Sequence, residues 1–265
     1  MYKGAVFLDY DGTLIDESEQ IYSPPKDCIS ALEKLKRNGY FTAICSGRAI
    51  CHIPKNLNFE FDGYVNSNGS SVTINKKLIF NDCFDEKDLK AIIKYFEDRK
   101  IDYSLEVYDR CYVNNMKNPR FLESVKKFEL PEETYIPFTG QKIFDKVNKI
   151  VNFYENYSQM SDFNEYFGNK FIVFPQLFDY SVDIAKRGLS KAIGIKEAIK
   201  YLNIDIKDTY AFGDGGNDIE MLSEIGNPII MGKHHPSLDN IKNGYITETV
   251  SNGGIEKGLI HFKLI

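Results

Sequence analysis

The sequence contains no tryptophan and no excess of positive charge, and its apolar residues never form a long run. A membrane-spanning helix needs roughly 18 consecutive apolar residues or more, so we predict that the chain does not enter a membrane. Lysine and arginine number 33 against 38 aspartates and glutamates, which gives a net charge of −5. Because a chain without a basic excess has little with which to neutralise a phosphate backbone, we predict no nucleic-acid partner.

Cysteine is scarce as well, with five residues, an odd number, and no C-x-x-C pair. This pattern favours reduced thiols and a cytoplasmic protein. An acidic residue as early as Asp9 is not typical of a secretory signal peptide, which favours the same location. The adjacent pairs Cys51-His52 and His234-His235 lack the spacing of a four-ligand zinc site, so the sequence predicts no zinc site.

The order of apolar runs predicts an α/β protein with a Rossmann-like parallel sheet. Ala5–Leu8 reads as a buried strand, a helix follows Pro24 and Pro25, and Tyr40–Cys45 reads as a second strand. This β-α-β unit requires parallel strands in a covered sheet. The same alternation returns in the predicted helix Leu189–Leu202 and the predicted strand Thr209–Phe212.

The middle of the chain differs in amino-acid composition, which predicts a second, inserted α+β domain. Residues 82–184 are rich in tyrosine, phenylalanine and asparagine. Strand-like runs alternate there with helical stretches; the strands are Tyr103–Tyr108, Val147–Phe153, Lys170–Phe174 and Tyr180–Ile184, and the helices are Glu86–Arg99, Pro119–Phe128 and Gln159–Phe167. We therefore predict a core of residues 1–81 and 185–265 that is interrupted by a domain of residues 82–184.

Acidic residues follow two of the predicted core strands. The segment DYDGTL places Asp9 and Asp11 just after the first strand, and GDGGND places Asp214 and Asp218 after another. Ligands of open α/β sheets bind beyond the carboxyl ends of the strands, so these carboxylates should share one edge. Carboxylates that converge need a cation, and an oxygen-rich site favours Mg²⁺. One carboxylate could attack as a nucleophile while the other transfers a proton.

Two further positions add to this edge. Ser46 and Gly47 end the second strand, where a hydroxyl and backbone N–H groups could hold phosphate oxygens. Lys191 lies in the first turn of a predicted helix, a poor place for a cation unless a carboxylate or phosphate is its partner. Judged alone, each motif could equally be a solvated turn or an exposed side chain.

The ordered set DYDGTL, SGR, SK before a helix and GDGGND closely resembles the haloacid dehalogenase-like hydrolase superfamily. The long insert is similar to the C2-type α/β cap of its Cof-type phosphatases. The resemblance implies that Asp9 is the nucleophile that forms an aspartyl-phosphate. It implies that Asp11 is first the general acid and then the base. Mg²⁺ would be the cofactor, held by Asp9, the Asp11 carbonyl and Asp214.

The resemblance also implies the remaining site residues. The phosphate-binding set would comprise Tyr10, Ser46, Gly47, Lys191 and Asn217, with the Tyr10 side chain expected to point away from the phosphate. Asp218 would support either the metal or Lys191, and we include it among the candidate metal residues. Tyr10 is a departure, since Leu, Met or Ile more often occupies this position in the family.

These observations favour a Mg²⁺-dependent phosphatase that acts on a small phosphorylated metabolite, either a sugar phosphate or a phosphorylated cofactor. Two alternatives remain open: a phosphomutase or phosphotransferase that uses the same nucleophile, and a receiver-like signalling module that accepts phosphate on an aspartate. We expect a monomer or a weak homodimer, and we expect the inserted domain to be a mobile cap that selects the substrate.

Overall fold

The computed structural model describes residues 2–127, 130–154, 157–175 and 181–265. Phe128 and Tyr180, at the ends of two predicted elements, lie outside these ranges. The chain divides into two compact units, the first comprising residues 1–47, 55–80 and 190–265 and the second comprising residues 48–54 and 81–189. Residues 48–54, 81 and 185–189, which were predicted to belong to the core, therefore group with the second unit.

The described residues form strands and helices that we number in chain order. The strands are β1 (Gly4–Leu8), β2 (Tyr40–Cys45), β3 (Gly63–Asn66), β4 (Ser71–Ile74), β5 (Lys77–Asn81), β6 (Asp102–Val107), β7 (Arg110–Val113), β8 (Tyr135–Pro137), β9 (Val147–Phe153), β10 (Phe171–Pro175), β11 (Ser181–Lys186), β12 (Thr209–Gly213), β13 (Asn227–Ile230) and β14 (Tyr245–Ile246). The helices are α1 (Lys26–Arg37), α2 (Glu86–Arg99), α3 (Pro119–Lys127), α4 (Tyr157–Phe167), α5 (Lys191–Leu202), α6 (Ile219–Glu224) and α7 (Gly254–His261).

The sheet of the first unit has the strand order β14-β13-β12-β1-β2-β3-β4-β5. The pairs from β14 to β3 are parallel, and β4 pairs antiparallel with β3. Strand β1 lies in the middle, and all five of its residues are buried, as expected for a strand covered on both faces. The predicted α/β fold with a parallel sheet is confirmed.

Helix α1 shows how the sequence sets one of the core helices. Proline at position 25 precedes the first helical residue, where a missing N–H costs nothing. The buried residues recur at helical spacing on one face: Cys28, Ala31, Leu32 and Leu35. The helix ends at Asn38 and Gly39, and Gly39 has a φ of +89°, which favours glycine.

The second unit is built on a sheet of order β10-β11-β9-β6-β7-β8. Its strand pairs are antiparallel except for β7 and β8, which are parallel. Helices α2 and α4 contribute to a hydrophobic cluster on the sheet, which includes Ile92, Phe96, Leu105, Ile150 and Phe163. Among the described residues, no helix is both long enough and apolar enough to cross a membrane.

Candidate active site

Two neighbouring parallel strands deliver acidic residues to the same edge of the core sheet. Strand β1 ends at Leu8, which pairs with Phe212 of β12, so Asp9 and Asp214 leave the sheet side by side. The backbone N–H of Asp9 donates to the Phe212 carbonyl at 3.0 Å and extends this register by one residue. Asp9 is only 4% exposed, so its carboxylate has lost most of its contact with water.

Three carboxylates converge there around one buried cation. Asp9, Asp214 and Asp218 each offer an oxygen within 4.8 Å of the others. The Lys191 ammonium lies 2.6 Å from Asp9 Oδ1 and 2.6 Å from Asp218 Oδ1, and its side chain is fully buried. Lys191 is the first residue of α5, so the two carboxylates are the partners that a lysine at this position needs.

Asp218 connects this lysine to the loop that carries Asp214. Its Oδ1 atom accepts from Lys191, while its Oδ2 atom accepts from the backbone N–H groups of Asp214 at 3.0 Å and Gly215 at 2.9 Å. Both carboxylate oxygens of Asp218 are therefore engaged within the protein. Through these contacts Asp218 joins Lys191 to the backbone of the Asp214 loop.

The turn after β1 approaches Asp214 so closely that only glycine fits. Gly12 has a φ of +83°, and a Cβ atom at this position would overlap the Asp214 carboxylate. Thr13 donates from its hydroxyl to Asp214 Oδ1 at 2.9 Å. Thr13 belongs to the DYDGTL motif, but the sequence alone did not indicate a role for it. The only available signal was a small hydroxyl next to the required glycine.

Burial and mutual repulsion change the acidity of the cluster. Burial, together with the negative charge of Asp218, raises the pKa of Asp9 well above its ordinary value, although Lys191 opposes this shift. Burial and Asp218 also raise the pKa of Asp214 to about 7, although the Thr13 hydroxyl opposes this shift. Burial acts to lower the pKa of Lys191, but the Asp218 and Asp9 carboxylates raise it above its ordinary value.

This donor set fits a hard divalent cation. The ligand atoms are carboxylate oxygens, which Mg²⁺ prefers. The single ammonium of Lys191 leaves an excess of negative charge when Asp9, Asp214 and Asp218 are all ionised. A dication would balance that excess and lower the pKa values that burial has raised.

The other predicted residues lie at the same strand ends. Asp11 is exposed in the turn after β1, whereas the Tyr10 side chain is buried. Ser46 is buried directly after β2, and Gly47 follows it. Asn217 is exposed in the short 3-10 turn that precedes α6. The ion-paired cluster itself consists of Asp9, Lys191 and Asp218, and the Asp214 carboxylate lies beside it.

The turn that follows β3 was missed at the sequence level. Ser67 and Asn68 adopt left-handed backbone conformations, with φ values of 49° and 54°. The Asn68 N–H donates to the Ser46 carbonyl at 3.2 Å, and Asn68 Oδ1 is buried without a hydrogen-bond partner among the described residues. The run SNGSS is the signal that could have identified this turn, and Asn68 lies against the candidate phosphate loop at Gly47.

A parallel sheet that gathers carboxylates and a buried lysine at one edge is typical of an enzyme that handles phosphate. A family model described as haloacid dehalogenase-like hydrolase matches residues 6–259. The chain therefore belongs to this family, and the predicted family is confirmed.

Several relatives agree with this assignment. YkrA of Bacillus subtilis (strain 168), which carries a provisional phosphatase name, is 27% identical, with 94% of each chain covered. The HMP-PP phosphatase of Yersinia enterocolitica is 26% identical, with 90% of this chain and 86% of the relative covered. A solved protein of Geobacillus kaustophilus HTA426 is 29% identical with a TM-score of 0.86, and 99% of each chain is covered.

A solved sugar phosphatase of the same superfamily shares the fold at a TM-score of 0.81 and 23% identity, covering 99% of this chain and all of its own. Together with the family, the phosphatase names of the relatives make this protein a phosphatase. The prediction of an enzyme is confirmed. The family match favours a phosphatase over the alternative of a receiver-like signalling module.

Proposed function

We propose that the protein is a Mg²⁺-dependent phosphatase that hydrolyses a small phosphorylated metabolite through an aspartyl-phosphate on Asp9. One observation carries this proposal. The Asp9 carboxylate is buried at the carboxyl edge of the sheet, hydrogen-bonded to Lys191 and next to Asp214 and Asp218. A carboxylate fixed in this way keeps one oxygen on the lysine and leaves the other for attack.

In the first step, an Asp9 oxygen forms a bond to phosphorus while the bond from phosphorus to the substrate oxygen breaks. Asp11 gives its proton to that leaving oxygen, which departs as an alcohol. In the second step, Asp11 takes a proton from water, and the water oxygen attacks phosphorus. The bond to Asp9 then breaks, which releases phosphate and restores both carboxyl groups.

The candidate metal ligands are Asp9, Asp214 and the carbonyl of Asp11. Bound Mg²⁺ would supply positive charge next to the phosphoryl oxygens. Asp218, which the sequence analysis grouped with the metal residues, is proposed to act through its contacts to Lys191 and to the Asp214 loop. Thr13 holds the Asp214 carboxylate by a hydrogen bond, and Gly12 leaves the space that this carboxylate occupies.

The transferring phosphoryl group would be bound by Tyr10, Ser46, Gly47, Lys191 and Asn217. Of these, Lys191 provides the fixed positive charge, and it needs little reorganisation because it is already desolvated and held by two carboxylates. Since the Tyr10 side chain is buried, Tyr10 would contribute through its backbone. Asn68, which packs beside Gly47, is a further candidate for positioning this loop.

The substrate class is proposed from the relatives. One of them is named an HMP-PP phosphatase, and a solved structure with the same fold is a sugar phosphatase. Both names describe small phosphorylated molecules. Because the residues of the core site address only the phosphoryl group, we propose that residues 82–184 act as a cap that distinguishes one metabolite from another.

The Asp9→Asn variant tests the covalent mechanism. An amide is a poor nucleophile toward phosphorus, so we expect phosphate release to fall below detection while the circular dichroism spectrum stays native. Asp85→Asn, at an exposed position before α2, is the matched control and should retain full turnover. If Asp9→Asn released phosphate at the normal rate, the proposed aspartyl-phosphate would be wrong.

A further inference from the structure

A second group of potential metal ligands lies entirely within the second unit. Cys51 and His52 belong to the short 3-10 turn at Ile50–His52, and Cys111 lies on β7. Each of the three offers one ligand atom within 4.8 Å of the others. Cys111 Sγ and His52 Nε2 lie 3.3 Å apart. Two sulfurs and an imidazole nitrogen are ligands for a soft or borderline cation, unlike the carboxylates of the core.

The imidazole of His52 is oriented as a metal ligand would be. Its Nε2 atom faces Cys111, while its Nδ1 atom lies 3.9 Å from Glu106 Oε1. The Tyr135 ring stacks on the imidazole with 5.4 Å between centroids. In zinc sites the far nitrogen of a ligating histidine commonly donates a hydrogen bond to a carboxylate, which fixes the ring and raises its basicity, and Glu106 is a carboxylate on that side of the His52 ring. Glu106 is paired directly with Cys111 across the β6–β7 ladder, so the sheet itself holds this geometry.

The charges around the cluster can accommodate a dication. Lys149 Nζ lies 3.1 Å from Glu106 Oε2 and 3.1 Å from Asp183 Oδ2, so the carboxylate beside His52 already has a cationic partner. Two thiolates would neutralise a bound dication, which leaves the buried site without added net charge. Cys111 is fully buried and His52 is 5% exposed, whereas Cys51 is only partly buried and offers a route for entry.

We propose that Cys51, His52 and Cys111 form a binding site for a thiophilic divalent cation of the Zn²⁺ class, separate from the carboxylate site of the core. The protein supplies three ligands, so a water molecule would complete tetrahedral coordination. Sequence spacing did not reveal the site because the third ligand is 59 residues from His52 and reaches it only through the folding of the second unit.

The proposal is tested on the full-length chain after treatment with a chelator. Co²⁺ is the first probe, since thiolate ligands give it a charge-transfer band that carboxylates do not. We expect wild-type protein to develop this band and to lose it when one equivalent of Zn²⁺ displaces the cobalt. Cys51→Ser and Cys111→Ser should each abolish the band, whereas Cys83→Ser should keep it. Glu106→Gln should weaken Zn²⁺ binding by about 10–100-fold.

A second measurement does not depend on whether a variant folds. In wild-type protein, Zn²⁺ should slow the alkylation of Cys51 and Cys111, measured by mass spectrometry, and leave that of the partly buried Cys83 unchanged. The proposal is overturned if wild-type protein gives no thiolate band, if the band survives in both serine variants, or if Zn²⁺ protects neither cysteine. None of these readings depends on phosphatase activity, so they are independent of the function proposed for the core.

Discussion

Lys191 lies at the start of α5, where the positive end of the helix dipole disfavours a cation, and it is also fully buried. Such a position is tolerated because Asp9 and Asp218 each accept from its ammonium at 2.6 Å. Removing one partner from a buried ion pair is costly, since the charges left behind remain without water. In the proposed mechanism, the stability of the site and its chemistry therefore depend on the same side chain.

We predict that Lys191→Ala lowers the free energy of unfolding by about 3–5 kcal/mol near neutral pH and reduces phosphate release severely. Lys196→Ala is the matched control on the same helix, because Lys196 is 53% exposed and pairs with the surface residue Glu224. Its loss should cost less than about 1 kcal/mol. Urea unfolding measures the free energy of unfolding of both variants. Equal losses of this free energy would show that Lys191 is not the central cation.

For individual residues, the sequence predicted which side chains lie together in the site but not every contact between them. Asp9 and Asp214 lie in recognisable motifs at strand ends, and Lys191 lies in the SK motif at the start of a helix. By contrast, the bond from Thr13 to Asp214 joins residues 201 positions apart, and it depends on the register between β1 and β12. The position of Cys111 beside His52 likewise depends on the fold of the second unit. A single sequence contains no direct signal for such pairs.

Close packing of α5 on the turn after β3 is the feature that brings Lys191 to the sheet edge. A Cβ atom on Gly194 of α5 would overlap Val65 Cγ1 and would lie 2.9 Å from the Gly69 Cα atom. On the other side, a Cβ atom on Gly69, where φ is +90°, would overlap the Ser190 carbonyl. The absence of side chains at Gly69 and Gly194 thus sets the distance between helix and turn.

We predict that Gly194→Ala destabilises the protein by about 1–3 kcal/mol, because the added methyl group has no space. Helix propensity alone predicts the opposite sign, since alanine is favoured over glycine by about 1 kcal/mol. Gly216→Ala serves as the control, because no heavy atom lies within 4 Å of a Cβ at that position. Thermal unfolding compares the two variants, and a stabilised Gly194→Ala would contradict the packing argument.

Several elements with a clear apolar or helical pattern were predicted from the sequence, whereas four short strands were missed. Strands β1, β2 and β9 and helix α2 appear close to their predicted positions because each has an apolar run or a clear helical period. Strands β3, β4, β7 and β8 have three or four residues each and were missed. Three or four residues are too few to show the alternation of apolar and polar residues that is typical of a strand. Pairing with neighbouring strands defines these elements instead.

The carboxylate cluster makes the stability of the whole protein depend on pH. The pKa of Asp214 is raised from 3.8 to about 7, so folding favours its protonated form. The stability that this proton contributes is complete below pH 3.8 and is lost as the pH rises through about 7. Asp9, whose pKa is also raised, acts in the same direction. A bound dication would replace these protons and reverse the loss.

We predict that chelated protein loses thermal stability between about pH 5 and about pH 8, and that the stabilisation by added Mg²⁺ grows over the same range. Asp214→Asn should reduce both effects, since the amide neither binds that proton nor ligates the metal well. Asp85→Asn should leave both unchanged. Differential scanning fluorimetry across this range makes the measurement, and a Mg²⁺ effect independent of pH would contradict the assignment.

The two units have separate hydrophobic clusters. This observation bears on the proposal that the core carries the phosphoryl site and the second unit selects the substrate. The buried residues of the first unit's cluster come from positions 5–238 outside the insert, and those of the second unit's cluster come from positions 84–184. Buried members of one cluster do not appear in the other among the described residues. The core sheet should therefore fold cooperatively without the second unit.

We predict that replacing residues 81–189 with a short Gly/Ser linker, with a second linker in place of residues 48–54, leaves a folded core. Residues 48–54 must be replaced too, because His52 is buried in the second unit and would otherwise be exposed. This core should still release phosphate from a small aryl phosphate, since Asp9, Lys191 and Asp214 all remain. It should lose the preference of the intact enzyme among phosphorylated metabolites, because the core residues address only the phosphoryl group. A metabolite panel with free phosphate as the readout compares the two proteins, and an unchanged order of preference would contradict the cap proposal.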